Sequence, residues 1–90
     1  MRTIDIRVTG RVQGVSYRAF ARDTALQLGV TGYVRNAADG SVAARATADE
    51  PTLAKFVEAL RRGPILAGVD DVSIDDVPLT DEDDGFVIQR

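Results

Sequence analysis

Ninety residues, 44% of them apolar, allow one small soluble domain with a single core, spanning residues 1–90. The absence of Cys and His excludes disulfides, thiolate nucleophiles and zinc–thiolate sites, and removes the commonest general base and metal ligand. The net charge of −3 conceals a split: residues 1–62 hold ten Arg/Lys and six Asp/Glu (+4), whereas residues 63–90 hold one Arg and eight acids (−7), so an anion site is expected in the first two-thirds.

Thr3 to Thr9 alternates, with Ile4, Ile6 and Val8 on one face, which predicts a half-buried strand. GRVQGVSYR follows at residues 10–18. It lacks the GK[ST] of the Walker loop and has a single glycine interval, so it is not the dinucleotide fingerprint either. From Tyr17 the spacing turns helical through Phe20, Ala21, Thr24 and Leu28, with Ser16 at the N-cap position and Gly29 as the stop. A second strand over 30–36 and a third over 41–48, joined through Asp39-Gly40, make a hairpin.

Asp49-Glu50-Pro51 opens a second helix with the apolar stripe Leu53, Phe56, Val57 and Leu60, and Gly63-Pro64 ends it. Val72 and Ile74 mark a fourth strand. An acidic turn, Asp81-Glu82-Asp83-Asp84, precedes a short fifth strand at Phe86-Val87-Ile88. The acids of this last third read as a solvated edge. The order β-α-β-β-α-β with a short fifth strand is the split βαβ, ferredoxin-like α/β sandwich, an antiparallel sheet with both helices on one face.

The strand-to-helix loop can be a plain glycine-bearing turn or an anion cradle. For the second reading, Gly10 and Gly14 let ligand approach the main chain, successive N–H groups form a nest, the helix start adds unpaired donors, and Arg18 offers a two-pronged guanidinium. Gln13 is expected to bond loop backbone and hold its shape. Asn36 at the end of strand two reads either as turn chemistry or as a neutral amide that orients a water beside a bound phosphate.

Val8-Thr9-Gly10-Arg11-Val12-Gln13-Gly14-Val15-Ser16-Tyr17-Arg18 resembles the first signature of the acylphosphatases. Gly32-Tyr33-Val34-Arg35-Asn36 with Asp39-Gly40-Ser41-Val42 resembles the second. The resemblance implies hydrolysis of acyl phosphates, with Arg11, Val12, Gln13, Gly14, Val15, Ser16, Tyr17 and Arg18 binding phosphate, and with Arg18 and Asn36 catalytic. It implies no metal or organic cofactor. Two positions depart from the family pattern. Tyr17 stands where Phe is more frequent, a change expected to have little effect, and Ala48 stands where the second signature usually ends in Gly.

Acyl phosphate chemistry suits so sparse a site. The leaving carboxylate has a conjugate-acid pKa of roughly 4 and needs no general acid. The phosphoryl centre needs positioning and charge stabilisation. A binding module of the same fold, sensing phosphate or carbamoyl-phosphate-type ligands without turnover, is the alternative; the chain's end at Arg90 points to a stand-alone enzyme. RNA binding through exposed strand aromatics is disfavoured, since only Tyr33 is suitably placed and the net charge is negative. With neither an h-region nor a membrane-length apolar run, the expectation is a cytoplasmic monomer acting on a small molecule, without nucleic acid or membrane.

Overall fold

A computed structural model describes residues 1–79 and 85–90. The acidic turn expected at Asp81–Asp84 lies outside the described residues. The elements run β1 (Arg2–Arg11), α1 (Tyr17–Leu28), β2 (Thr31–Asn36), β3 (Val42–Ala48), α2 (Glu50–Arg62), β4 (Gly68–Val77) and β5 (Phe86–Ile88). They form one sheet in the order β4-β1-β3-β2-β5. β3 pairs antiparallel with β1 and β2, β4 pairs antiparallel with β1, and β5 lies parallel to β2. This is the split βαβ arrangement with a fifth strand added at the β2 edge.

The alternation in β1 sends Ile4, Ile6 and Val8 into the core, each no more than 2% exposed. Val34 of β2, Val42, Ala44 and Ala46 of β3 and Val72 of β4 complete the sheet's apolar side. Against it α1 lays Tyr17, Ala21 and Ala25, with Phe20 and Leu28 partly buried, and α2 lays Leu53, Phe56, Val57 and Leu60. Phe86 closes the β5 end, its ring edge-on to Phe56 at 5.6 Å between centroids.

Caps explain where the helices start and stop. Asp49 accepts a hydrogen bond from the Thr52 N–H at 2.9 Å, so the acid at the α2 start is a working N-cap. Ser16 occupies the N-cap position of α1, but in the left-handed region (φ 62°) and with no side-chain cap bond. The position was readable from the sequence; the capping chemistry expected there is not what the loop uses.

Gly10 likewise has a different role from the one its place in the loop suggests. It belongs to β1, at a register shift against β4 between Thr9 and Gly10, and its φ is 118°. A Cβ there would lie 2.2 Å from the Gly68 carbonyl oxygen. Gly10 is thus required by the close approach of two strands, upstream of the cradle.

Ala48 continues the regular ladder opposite Arg2 and is not in the left-handed region, so the loss of glycine there leaves the backbone undisturbed. Tyr17 is more consequential than its family substitution suggests. Leu60 lies in the last turn of α2, where carbonyls run out of helical N–H partners, and residue 64, a proline, has no N–H to offer. The Tyr17 hydroxyl donates to that carbonyl at 2.6 Å, and both residues are buried. Burial also raises the Tyr17 pKa well above its ordinary value of 10.0, so the hydroxyl keeps its proton. Tyr17→Phe is expected to orphan a buried carbonyl and cost about 1–2 kcal/mol in urea denaturation; an unchanged midpoint would show the hydroxyl to be idle.

Candidate active site

β1 and β2 run parallel on either side of β3, so both finish at the same end of the sheet. There the loop after β1 and the last residue of β2 border a recess of about 260 Å³. Val12, Gly14, Ser16, Tyr17, Arg18 and Ala19 line it from the loop and the start of α1, and Asn36 lines it from β2. Arg18 and Asn36, remote in sequence, therefore share one concavity.

The loop is a row of unused donors. None of the N–H groups from Gln13 to Ala19 is donated to a carbonyl or side chain of a described residue. Gly14 (φ 75°) and Ser16 (φ 62°), two residues apart, both take the left-handed conformation. Such alternation bends a chain into a concavity toward which N–H groups point. Ser16 is the only non-glycine residue with positive φ among the described residues. That conformation costs a non-glycine residue on the order of 1–3 kcal/mol and concentrates at functional sites. The α1 start adds the positive end of its dipole.

Arg18 is half-buried, and its Nη1 donates to the Gln89 carbonyl at 3.2 Å. Gln89 is itself fixed by donating its N–H to the Val34 carbonyl at 2.8 Å. One prong of the guanidinium is thus used for orientation, and its remaining donors are available to a ligand. The half-buried Asn36 carboxamide makes no hydrogen bond to another described residue.

Not every loop residue turns its side chain into the recess. Arg11 is exposed, pairs with Gly68 as the last residue of β1, and does not line it. Val15 is 8% exposed and packs into the core. Gln13 reaches away from its own loop, and its Nε2 donates to the carbonyls of Ala37 at 2.9 Å and Ser41 at 2.8 Å. The bonds to loop backbone expected of it are instead bonds to the β2–β3 turn.

Three lining residues escape a reading by motif: Ala19, which directly follows the first motif, and Ile88 and Arg90. For the last two the available signal was the period-2 run Phe86, Ile88, Arg90. With Phe86 in the core, alternation carries Arg90 to the same side, beside Asn36, because Ile88 pairs with Val34 two residues earlier.

The family model described as acylphosphatase matches residues 4–88. An acylphosphatase of Rhizobium etli is 51% identical over 69 residues, 77% of this chain and 73% of that protein. One of Salinibacter ruber is 42% identical over 87 residues, covering 97% and 92%. The chain belongs to the acylphosphatase family. The crystal structure of acylphosphatase from Bacillus subtilis superposes with a TM-score of 0.96 at 34% identity, over all of both chains.

Behind this acylphosphatase recess the β2–β3 turn is held by a compact polar network. The Asp39 Oδ1 accepts from the Ser41 N–H at 2.9 Å and from the Ser41 hydroxyl at 2.6 Å. Arg7 Nη1 donates to the Ser41 Oγ at 2.6 Å and to Asp39 Oδ2 at 3.1 Å. The bonds from Ser41, and then the Arg7 charge, hold the Asp39 carboxyl below its ordinary value of 3.8. A depressed carboxyl stabilises the fold above its unfolded pKa, and that contribution is lost as pH falls through the folded pKa. The gap in thermal midpoint between the native chain and Asp39→Asn is therefore expected to be largest above about pH 5 and to close on acidification. A gap independent of pH would show that the carboxylate charge does not hold the turn.

Proposed function

We propose that the chain hydrolyses acyl phosphates in this recess, with backbone N–H groups and Arg18 binding the phosphoryl oxygens and Asn36 orienting the attacking water. What carries the reading is a convergence: unused loop donors, a guanidinium with spare N–H groups and an unpartnered amide meet in one concavity. Its likeness over most of its length to proteins named acylphosphatase supports the same reaction class.

The chemistry balances with these parts. Water oxygen attacks phosphorus in line with the acyl oxygen, the P–O bond to that oxygen breaks, and its electron pair leaves with the carboxylate. The carboxylate is a weak base, so no proton need reach it at neutral pH. No carboxylate side chain of a described residue lines the recess, and the water's proton passes to the phosphate being formed. Arg18 and the N–H groups face the three peripheral oxygens, where charge is spread in a loose transition state. Asn36 donates and accepts without adding a negative charge that would repel the substrate.

The substrate is a small molecule gripped by its phosphate, and we place the protein in the cytoplasm as a monomer. Among the described residues no helix is long and apolar enough to cross a membrane.

Hydrolysis of benzoyl phosphate is expected to persist in excess metal chelator; inactivity of the folded chain would favour a ligand-binding module. Arg18→Lys is expected to lose activity on the order of 10³-fold, because a point charge cannot replace a bidentate fork. Near-native turnover in that variant would refute the clamp. Asn36→Ala is expected to lower kcat while competitive inhibition by inorganic phosphate stays nearly constant. Loss of phosphate inhibition would instead assign Asn36 to binding.

A further inference from the structure

The proposed reaction needs two segments in fixed relation: the loop that binds the phosphoryl group and the strand end that carries Asn36. The sheet alone does not join them. β1 and β2 are separated by β3, and the last ladder row linking all three is Val8, Val42 and Asn36. Beyond that row β1 continues to Arg11 paired only with β4 before its loop begins, and the β2–β3 turn leaves the sheet separately.

Gln13 spans the gap. Its carboxamide nitrogen has two N–H donors and both are used, one on the Ala37 carbonyl and one on the Ser41 carbonyl. These acceptors bracket the hairpin's closing pair, since the Ala37 N–H also donates to the Ser41 carbonyl at 2.8 Å. Ala37 directly follows Asn36, and Ser41 directly precedes the residue paired with it. The side chain of the phosphate loop thus ends one residue from the amide proposed to hold the water. On its far side Ser41 is fixed by Asp39 and Arg7, so the turn is gripped from both faces.

We infer that Gln13 is a positioning residue for hydrolysis: its side chain sets the place of Asn36 relative to the bound phosphoryl group, and its backbone N–H belongs to the cradle itself. The inference rests on the function proposed above. In-line attack is steep in geometry, and a misplacement of about 1 Å costs on the order of 10²-fold in rate. Removing the clasp leaves the cradle's N–H groups and Arg18 in place, so phosphate binding and water alignment separate.

The test is a double-mutant cycle on the full chain with benzoyl phosphate as substrate and inorganic phosphate as competitive inhibitor. Gln13→Met keeps the length and the backbone N–H but loses both side-chain donors. Gln13→Asn keeps the amide and falls one methylene short, and it serves where the methionine variant does not fold. Either is expected to lower kcat roughly 10–100-fold, as loss of an outer orienting partner does, with the phosphate inhibition constant changed less than about two-fold. In the Asn36→Ala background the Gln13 substitution is expected to cost little more, because it acts through a group already removed. Losses that multiply, a phosphate affinity that falls in step with kcat, or native kcat in a folded Gln13 variant would overturn the inference. Asn36→Ala with native activity would overturn the water-orienting role itself. Multiplying losses with an impaired Asn36→Ala would leave that role standing and remove only the part assigned to Gln13.

Discussion

Val42 pairs with Val8 on one side and with Asn36 on the other, and this single row sets where both halves of the site emerge. A slip of one residue on either side of β3 would turn Ile4, Ile6 and Val8, or Val34, out of the core, because side chains alternate strictly along a strand. Each such side chain contributes roughly 1.5–3 kcal/mol by burial, so the register is held by the core and not by the site. Antiparallel pairing of both with β3 makes β1 and β2 parallel, which brings their ends to one edge of the sheet. The recess is therefore a by-product of packing, occupied by residues that the packing does not need.

Most of that scaffold could be read locally. The period-2 apolar run of β1, the stripe on α2, and the turn and stop residues at Asp39-Gly40 and Gly63-Pro64 are all short-range signals, and each element formed close to its expected span. β4 was visible only at Val72 and Ile74, yet it runs from Gly68 to Val77. As an edge strand it buries little more than Val72, so alternation leaves a faint trace. Features that depend on what lies opposite were hidden: the Gly10 register shift against β4, the reach of Gln13 to the β2–β3 turn, and the entry of Arg90 through a parallel pairing with β2. The motif spacing placed Arg18 and Asn36 on the right elements, but only the sheet order brings them to one recess.

Charge is distributed along the same lines. Asp70, Asp71, Asp75 and Asp76 are exposed on β4, the long outer strand, in keeping with the solvated edge read from the sequence. An unpaired strand edge of ten residues is a template for pairing with another chain, and a row of carboxylates opposes that. None of these four acids lines the recess, which among the described residues has arginines and no carboxylate side chain in its lining. Among the described residues, the four β4 carboxylates are therefore separated in space from the anion-attracting recess.

The bond between Tyr17 and Leu60 ties position 17 to the end of α2. A phenol hydroxyl at the start of α1 supplies the donor that the last turn of α2 lacks, so the two helix ends form one unit. Gly63, at φ 66° and ψ 177°, turns the chain out of the helix before residue 64, so the Leu60 carbonyl depends on a donor from outside α2. An aromatic ring without the hydroxyl would leave that buried carbonyl without its partner. Tolerance at the first residue of the phosphate-side helix is thus decided by whether another helix, well outside the recess, can complete its last turn.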